Sequence, residues 1–189
     1  MADGGSTDYT VRIAKEAGAT VICCPTPGRA EQMNSGARVG RGDVFLFLHA
    51  DTLVRASSLA QIETALRDPL VVGGGFSRQF DSPSFFLRVT CSLATWRSRA
   101  LHWFFGDQGI FVRRQVFESL GGFKQMRIFE DLDFSRRLSR RGKAVTLWPG
   151  VVSSARRFGR RGPFRTTCSD FWLTCCYLAG SSSIQAANK

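Results

Sequence analysis

Three groups of charged residues hold the chemistry that this 189-residue chain can offer. His49 and Asp51 follow an unbroken apolar run, residues 44–48, with a single Ala50 between them, so both side chains can project toward one rim. A carboxylate there suits Mg²⁺ or Mn²⁺ carrying a diphosphate, because hard cations keep oxygen ligands and share phosphate oxygens. Asp51 and Thr52 also read as ordinary caps of the next turn. Glu130, Asp131 and Asp133 share what reads as the first turn of a helix. One of them aimed into a cleft is a general base for an acceptor hydroxyl. Acids at a helix start equally stabilise the dipole, and Asp133 can pair with Arg137 one turn on. Arg136, Arg137, Arg140, Arg141 and Lys143 read as a solvated helix face. Arg156, Arg157, Arg160, Arg161 and Arg165 read as a flexible, Gly-containing loop fit to grip a diphosphate or to touch an anionic membrane. His102, amid Leu101, Trp103 and Phe104, reads as a core or interface histidine.

The elements that must position these groups alternate. A helix capped by Ser6 or Thr7 carries Val11, Ala14 and Ala17 and stops at Gly18. Residues 20–24 read as a short buried strand. Ala30, Met33 and Ala37 recur at helical spacing, and residues 44–48 form the most buried strand, covered on both faces. Ser57 or Ser58 caps a helix through Leu59, Ile62 and Leu66. Residues 70–76, 109–112 and 144–148 are further strands, with an aromatic segment at 85–105 and the helix from Glu130 between them. Strand–helix alternation predicts an α/β fold, a mostly parallel sheet flanked by helices. In such sheets ligands bind at the carboxyl ends of the strands.

Composition agrees with one domain, residues 1–180, followed by a Ser- and Ala-rich tail at 181–189. The net charge of +11 raises affinity for phosphates without choosing among nucleotide, nucleic acid and lipid. A nucleic-acid platform is disfavoured, because the arginines are not interleaved with stacking aromatics. Six cysteines with two adjacent pairs and no C-x-x-C read as small buried apolar residues in a reducing compartment. With no basic-then-apolar leader and no spanning run, a cytoplasmic protein is expected, with peripheral membrane contact through Trp172, Leu173 and Tyr177.

The ordered series Asp3-Gly4-Gly5-Ser6, Gly28-Arg29-Ala30, Gln32-Met33-Asn34, His49-Ala50-Asp51, Gly106-Asp107-Gln108, Gly121-Gly122-Phe123 and Glu130-Asp131-Leu132-Asp133 resembles the family 2 glycosyltransferases. Within that family it is most similar to the small transferases associated with radical-SAM or selenium-domain proteins, some of them linked to arsenosugar synthesis. The resemblance implies a GT-A fold, a nucleotide-diphospho-sugar donor, Mg²⁺ or Mn²⁺, and inverting transfer to an acceptor. It implies that Asp3, Gly5, Ser6, Arg29 and Asn34 line the nucleoside, and that Asp51 with His49 takes the metal. It also implies that Arg156 and Arg157 meet the diphosphate, that Asp131 beside Glu130 is the base, and that Asp107, Gln108, Gly121, Gly122 and Phe123 face the acceptor. Relatives precede the Asp3 loop with a strand, a helix and a second strand. Here only Met1 and Ala2 stand ahead of it, so a truncated fold with no strand to hold the loop is expected. The alternative function is an inactive domain of the same kind acting as a binding or scaffold module.

Overall fold

The computed structural model describes residues 1–180; the expected tail at 181–189 lies outside the described residues. In chain order the elements are β1 (Ala2–Asp3), α1 (Thr10–Glu16), β2 (Ile22–Cys23), α2 (Arg29–Val39), β3 (Val44–Phe47), β4 (Thr52–Leu53) and α3 (Ser58–Ala65). Then come β5 (Val71–Phe80), α4 (Phe85–Leu101), a 3-10 turn (Gly106–Gln108), β6 (Ile110–Arg113), α5 (Arg114–Ser119), α6 (Glu130–Leu138), β7 (Lys143–Ser153), α7 (Arg156–Arg161) and α8 (Pro163–Leu178). The sheet is mixed and flanked by helices, as the alternation predicts. Its balance is not mostly parallel. In the five-stranded order β3-β6-β5-β7-β4, β5 and β7 run parallel and the other neighbours antiparallel, while β1 and β2 form a separate parallel pair. Local periodicity does not encode these long-range pairings.

Burial ranks the strands differently from the sequence. β6 lies between β3 and β5, and Ile110, Phe111 and Val112 are each at most 1% exposed. β3 is an edge strand of its sheet, and of its residues only Phe45 is buried. Apolar side chains alternate across β6: Ile110 and Val112 join the Phe104–Phe117–Phe123–Phe134 cluster under α2 and α6, while Phe111 joins Ile62, Phe76 and Val151 under α3. At the centre of β5, side chains are dispensed with altogether. A Cβ on Gly73 would lie 2.4 Å from the Phe111 carbonyl oxygen, one on Gly74 2.0 Å from that of Val145, and one on Gly75 2.6 Å from the Phe104 ring. Three glycines therefore let two strands and a phenyl ring close on bare backbone.

The amino terminus corrects three expectations. Ala2–Asp3 is itself a strand, paired with Ile22–Cys23, so the Asp3 loop does leave from a strand end. That second strand is short and half-exposed rather than buried. α1 starts at Thr10, where Asp8 Oδ1 accepts from the Thr10 amide (3.0 Å) and hydroxyl (2.5 Å); neither Ser6 nor Thr7 caps it. The aromatic segment is helix α4, and the Arg-rich loop is two helices, with Pro163 in the first turn of α8, where no amide donor is needed. The expectation of buried cysteines also fails: Cys91 alone of the six is buried.

Candidate active site

Only residues 48–51 join β3 at one edge of the five-stranded sheet to β4 at the other, so this segment crosses the ends of the strands between them. The crossing is pinned: Thr52 N–H donates to His49 O (3.1 Å), Ser154 N–H donates to Asp51 O (3.1 Å), and the Thr52 and Ser153 hydroxyls pair at 3.2 Å. Asp51 is exposed at this rim. His49 turns inward against the 3-10 turn, where a Cβ on Gly106 would sit 2.3 Å from His49 Nε2 and 3.3 Å from Asp131 Oδ2. The missing side chain of Gly106 thus leaves a gap that His49 Nε2 and Asp131 Oδ2 both border.

Asp131 is 6% exposed, and both its oxygens are held: Gly106 N–H donates to Oδ2 (2.6 Å) and Leu132 N–H to Oδ1 (2.7 Å). Burial pushes its carboxyl above the usual range, against the pull of the Gly106 amide. Glu130 is fully buried. Burial first and the neighbouring Asp131 second raise it to about 7, against the pull of Arg29. Arg29 spans it, with Nε 2.8 Å from Oε1 and Nη2 donating to Oε2 at 3.2 Å. Two adjacent acids thereby acquire different surroundings. One is clamped by a cation; the other is held by backbone donors beside His49 Nε2, which is buried and has no hydrogen-bond partner among the described residues. Asp133, one turn along, does pair with Arg137 (2.7 Å) as its spacing predicts, and with Lys124 (3.1 Å).

Several predicted site residues hold the scaffold instead. Asn34 Nδ2 donates to Phe123 O (2.8 Å) and its Oδ1 accepts from Phe123 N–H (2.9 Å), so the amide ties α2 to the Gly121-Gly122 turn. Both glycines have left-handed φ, and Phe123 is 2% exposed within the aromatic core. Gln108 is wholly buried and committed to Arg97, the Phe105 amide and Phe76 O. Arg137 is no solvated face; it donates to Leu120 O and Gly122 O, each at 2.8 Å. Arg156 and Arg157 are exposed on α7, and Arg157 pairs with Asp170 of α8. Tyr177, expected at a membrane, stacks on Phe129 (4.8 Å).

The amino-terminal loop is closed by its own first carboxylate. Asp3 accepts from the Ser6 hydroxyl (2.5 Å) and from the Ser6 (3.0 Å) and Gly5 (2.9 Å) amides, which hold its carboxyl below the usual range. Gln32 of α2 donates to Ala2 O (3.0 Å), so a single helix links this loop to Arg29 and Glu130.

Two arginines escaped the sequence reading. Arg78 pairs with Asp107, and Arg97 lies over the Phe105 ring (4.3 Å), lowered to about 10 by burial and by Arg78. The signal was an arginine inside an apolar strand, Arg78, which rarely buries unpaired.

A divalent cation fits this rim in part. Asp51 offers an open carboxylate that leaves coordination positions for diphosphate oxygens, whereas His49 Nε2 is buried against Gly106. Among the described residues no three His, Cys, Asp or Glu side chains converge on a common point for a metal.

A model of the family described as glycosyl transferase family 2 matches residues 1–144. No curated protein matches the sequence. Among solved structures, S. aureus TarS (residues 1–349) superposes with a TM-score of 0.64 at 14% identity, over 82% of this chain and 50% of that one. A Pyrobaculum calidifontis mannosyltransferase in complex with GDP-Man and Mn²⁺ gives 0.62 at 24% identity, over 81% and 46%. Mycobacterium tuberculosis glucosyl-3-phosphoglycerate synthase with Mn²⁺ and UDP-glucose gives 0.51 at 18%, over 81% and 57%. The chain thus spans about half the length of the structures it resembles, and at these identities the likeness concerns the fold.

Proposed function

The chain belongs to glycosyl transferase family 2, and from that premise we propose that it moves a sugar from a nucleotide-diphosphate donor to an acceptor hydroxyl with inversion. The observation that carries this reading is Asp131: a buried carboxylate, raised in basicity, fixed by two amides beside a segment that crosses the strand ends. Asp131 takes the acceptor proton while the acceptor oxygen bonds to the anomeric carbon. The bond from that carbon to the diphosphate breaks, and the nucleoside diphosphate leaves with its electron pair. Glu130, neutralised by Arg29, fixes the start of α6, and so the direction in which Asp131 points.

Asp3, Gly5 and Ser6 form the nucleoside wall, and Arg156, on the helix that follows Ser154, meets the leaving diphosphate. Asp51 would hold Mg²⁺ or Mn²⁺, which when bound offsets charge on the diphosphate. Assignment to the radical-SAM-associated subgroup rests on the motif series alone. The exposed Phe164, Phe171 and Trp172 of α8 support peripheral contact with an anionic membrane. Among the described residues no helix is long and apolar enough to cross one.

Calorimetry with UDP-, GDP- and dTDP-sugars plus Mn²⁺ tests the reading. One donor should bind, and Asp51→Ala should weaken it. If none binds, the proposal fails for this chain.

A further inference from the structure

A groove of about 670 Å³ opens between the second half of β5 and helix α4. Its apolar walls include Phe80, Leu87 and two indoles, Trp96 and Trp148, which stand 70% and 67% exposed. Three arginines line it as well: Arg78, Arg88 and Arg99. Among the described residues no acid lines it. Arg78 connects this groove to the site. Its side chain is 14% exposed, Nη1 pairs with Asp107 next to Gly106, and its buried Nε has no partner among the described residues. Most of a protein's buried donors are satisfied. Arg78, which Asp107 and Cys91 hold in place, stands beside two exposed arginines, and together the three positive charges make a seat for an anion. Flat indoles beside it suit a ring-shaped apolar body.

We propose that this groove binds the acceptor, and that the acceptor is an amphipathic anion: a ring-shaped apolar body lying along Trp96 and Trp148, with a phosphate or carboxylate on the arginines. The volume fits a small molecule rather than a polymer. The acceptor role rests on the glycosyl-transfer reading above; the ligand class rests on the groove itself. Anchoring the anion at Arg78, whose partner Asp107 adjoins the Gly106–Asp131 contact, would present a nearby hydroxyl to the base.

The test is calorimetry on the full chain with 2-naphthyl phosphate and 2-naphthoate, set against 2-naphthol and inorganic phosphate. At least one of the naphthyl anions should bind about tenfold or more tighter than either half-molecule, and Arg99→Gln and Trp96→Phe should each weaken it several-fold. Both substitutions are at exposed positions, so folding is retained and checked by circular dichroism; Arg78→Gln, which breaks a buried pair, serves as a second variant. Equal binding of 2-naphthol, indifference to all three variants, or displacement by UDP or GDP overturns the proposal, the last by giving the groove to the donor. A bound donor sugar with no naphthyl anion bound defeats the groove alone. Naphthyl binding with these dependences but no donor binding defeats the transfer reading and leaves the ligand class standing.

Discussion

Replacing Arg29 with Gln should destabilise the protein more at high pH than at low, and the size of the difference follows from Glu130. Its carboxyl ordinarily titrates at 4.5 and is raised to about 7 in the fold, chiefly by burial. Because the folded value is raised, the contribution of Glu130 favours folding below 4.5 and is lost as pH climbs through 7. At 1.36 kcal/mol per unit, the ionised side chain costs about 3 kcal/mol above neutrality even with Arg29 beside it. Without Arg29 the value rises further, and at pH 8 a Glu130 that stays protonated adds roughly 1.4 kcal/mol. Arg29 is 48% exposed, so water supplies part of its screening and this figure is a ceiling. Below pH 5.5 Glu130 is protonated in both proteins, leaving only the lost hydrogen bond, about 1 kcal/mol. Urea unfolding at pH 5.5 and 8 should therefore show a penalty near 1 kcal/mol that grows to roughly 2 kcal/mol. In Arg29→Gln/Glu130→Gln the growth should vanish. A penalty equal at both pH values, or growth that survives in the double variant, refutes the clamp.

Asp131→Asn should lower sugar transfer by a factor on the order of 10² to 10⁴ while donor binding persists, measured by nucleotide release and calorimetry; near-normal turnover would remove Asp131 from the role of base. Gly106→Ala should cost about 1–3 kcal/mol, because its Cβ would meet His49 Nε2 at 2.3 Å, and His49→Ala in the same chain should recover most of that. No recovery would mean that the histidine is not the obstacle. Asn34→Ala breaks both bonds to Phe123 and should lower stability by about 2–4 kcal/mol in urea unfolding; under 1 kcal/mol would show that water replaces the amide. Vesicles rich in phosphatidylserine should co-sediment the protein and release it on Phe171→Ser/Trp172→Ser, whereas equal sedimentation with neutral vesicles would rule out an anionic surface as the partner.

The legible parts of the fold were those whose periodicity was clean. Ala30, Met33 and Ala37 foretold α2, and apolar runs foretold β5, β6 and β7 to within a few residues. Helix α4 was hidden because its inward face has one large apolar residue, Leu87, followed by the small Cys91, Ala94 and Ser98, while Phe85, Leu93 and Trp96 point outward. α7 and α8 were hidden by Gly159, Gly162 and Pro163, which read as loop when taken locally. At the site, motif order singled out Asp131 and Asp51 but could not tell a ligand from a brace. Asn34, Gln108 and Phe123 sit at motif positions, and all three are consumed by contacts to distant segments. Such partners, tens of residues away, leave no local trace.

The glycine run of β5 has a consequence for how this protein can change. Along Gly73–Gly75 any side chain would collide with neighbouring backbone or with the Phe104 ring, so this half of the strand is closed to substitution. Past the register shift between Phe76 and Arg78, the same strand lines the groove with Arg78, Gln79 and Phe80. One strand thus joins a frozen half to an adjustable half, separated by two residues. A library confined to positions 79 and 80, which leaves the buried Arg78–Asp107 pair in place, would sample new groove chemistries on an unaltered frame, whereas one over positions 73–75 would return mostly unfolded chains.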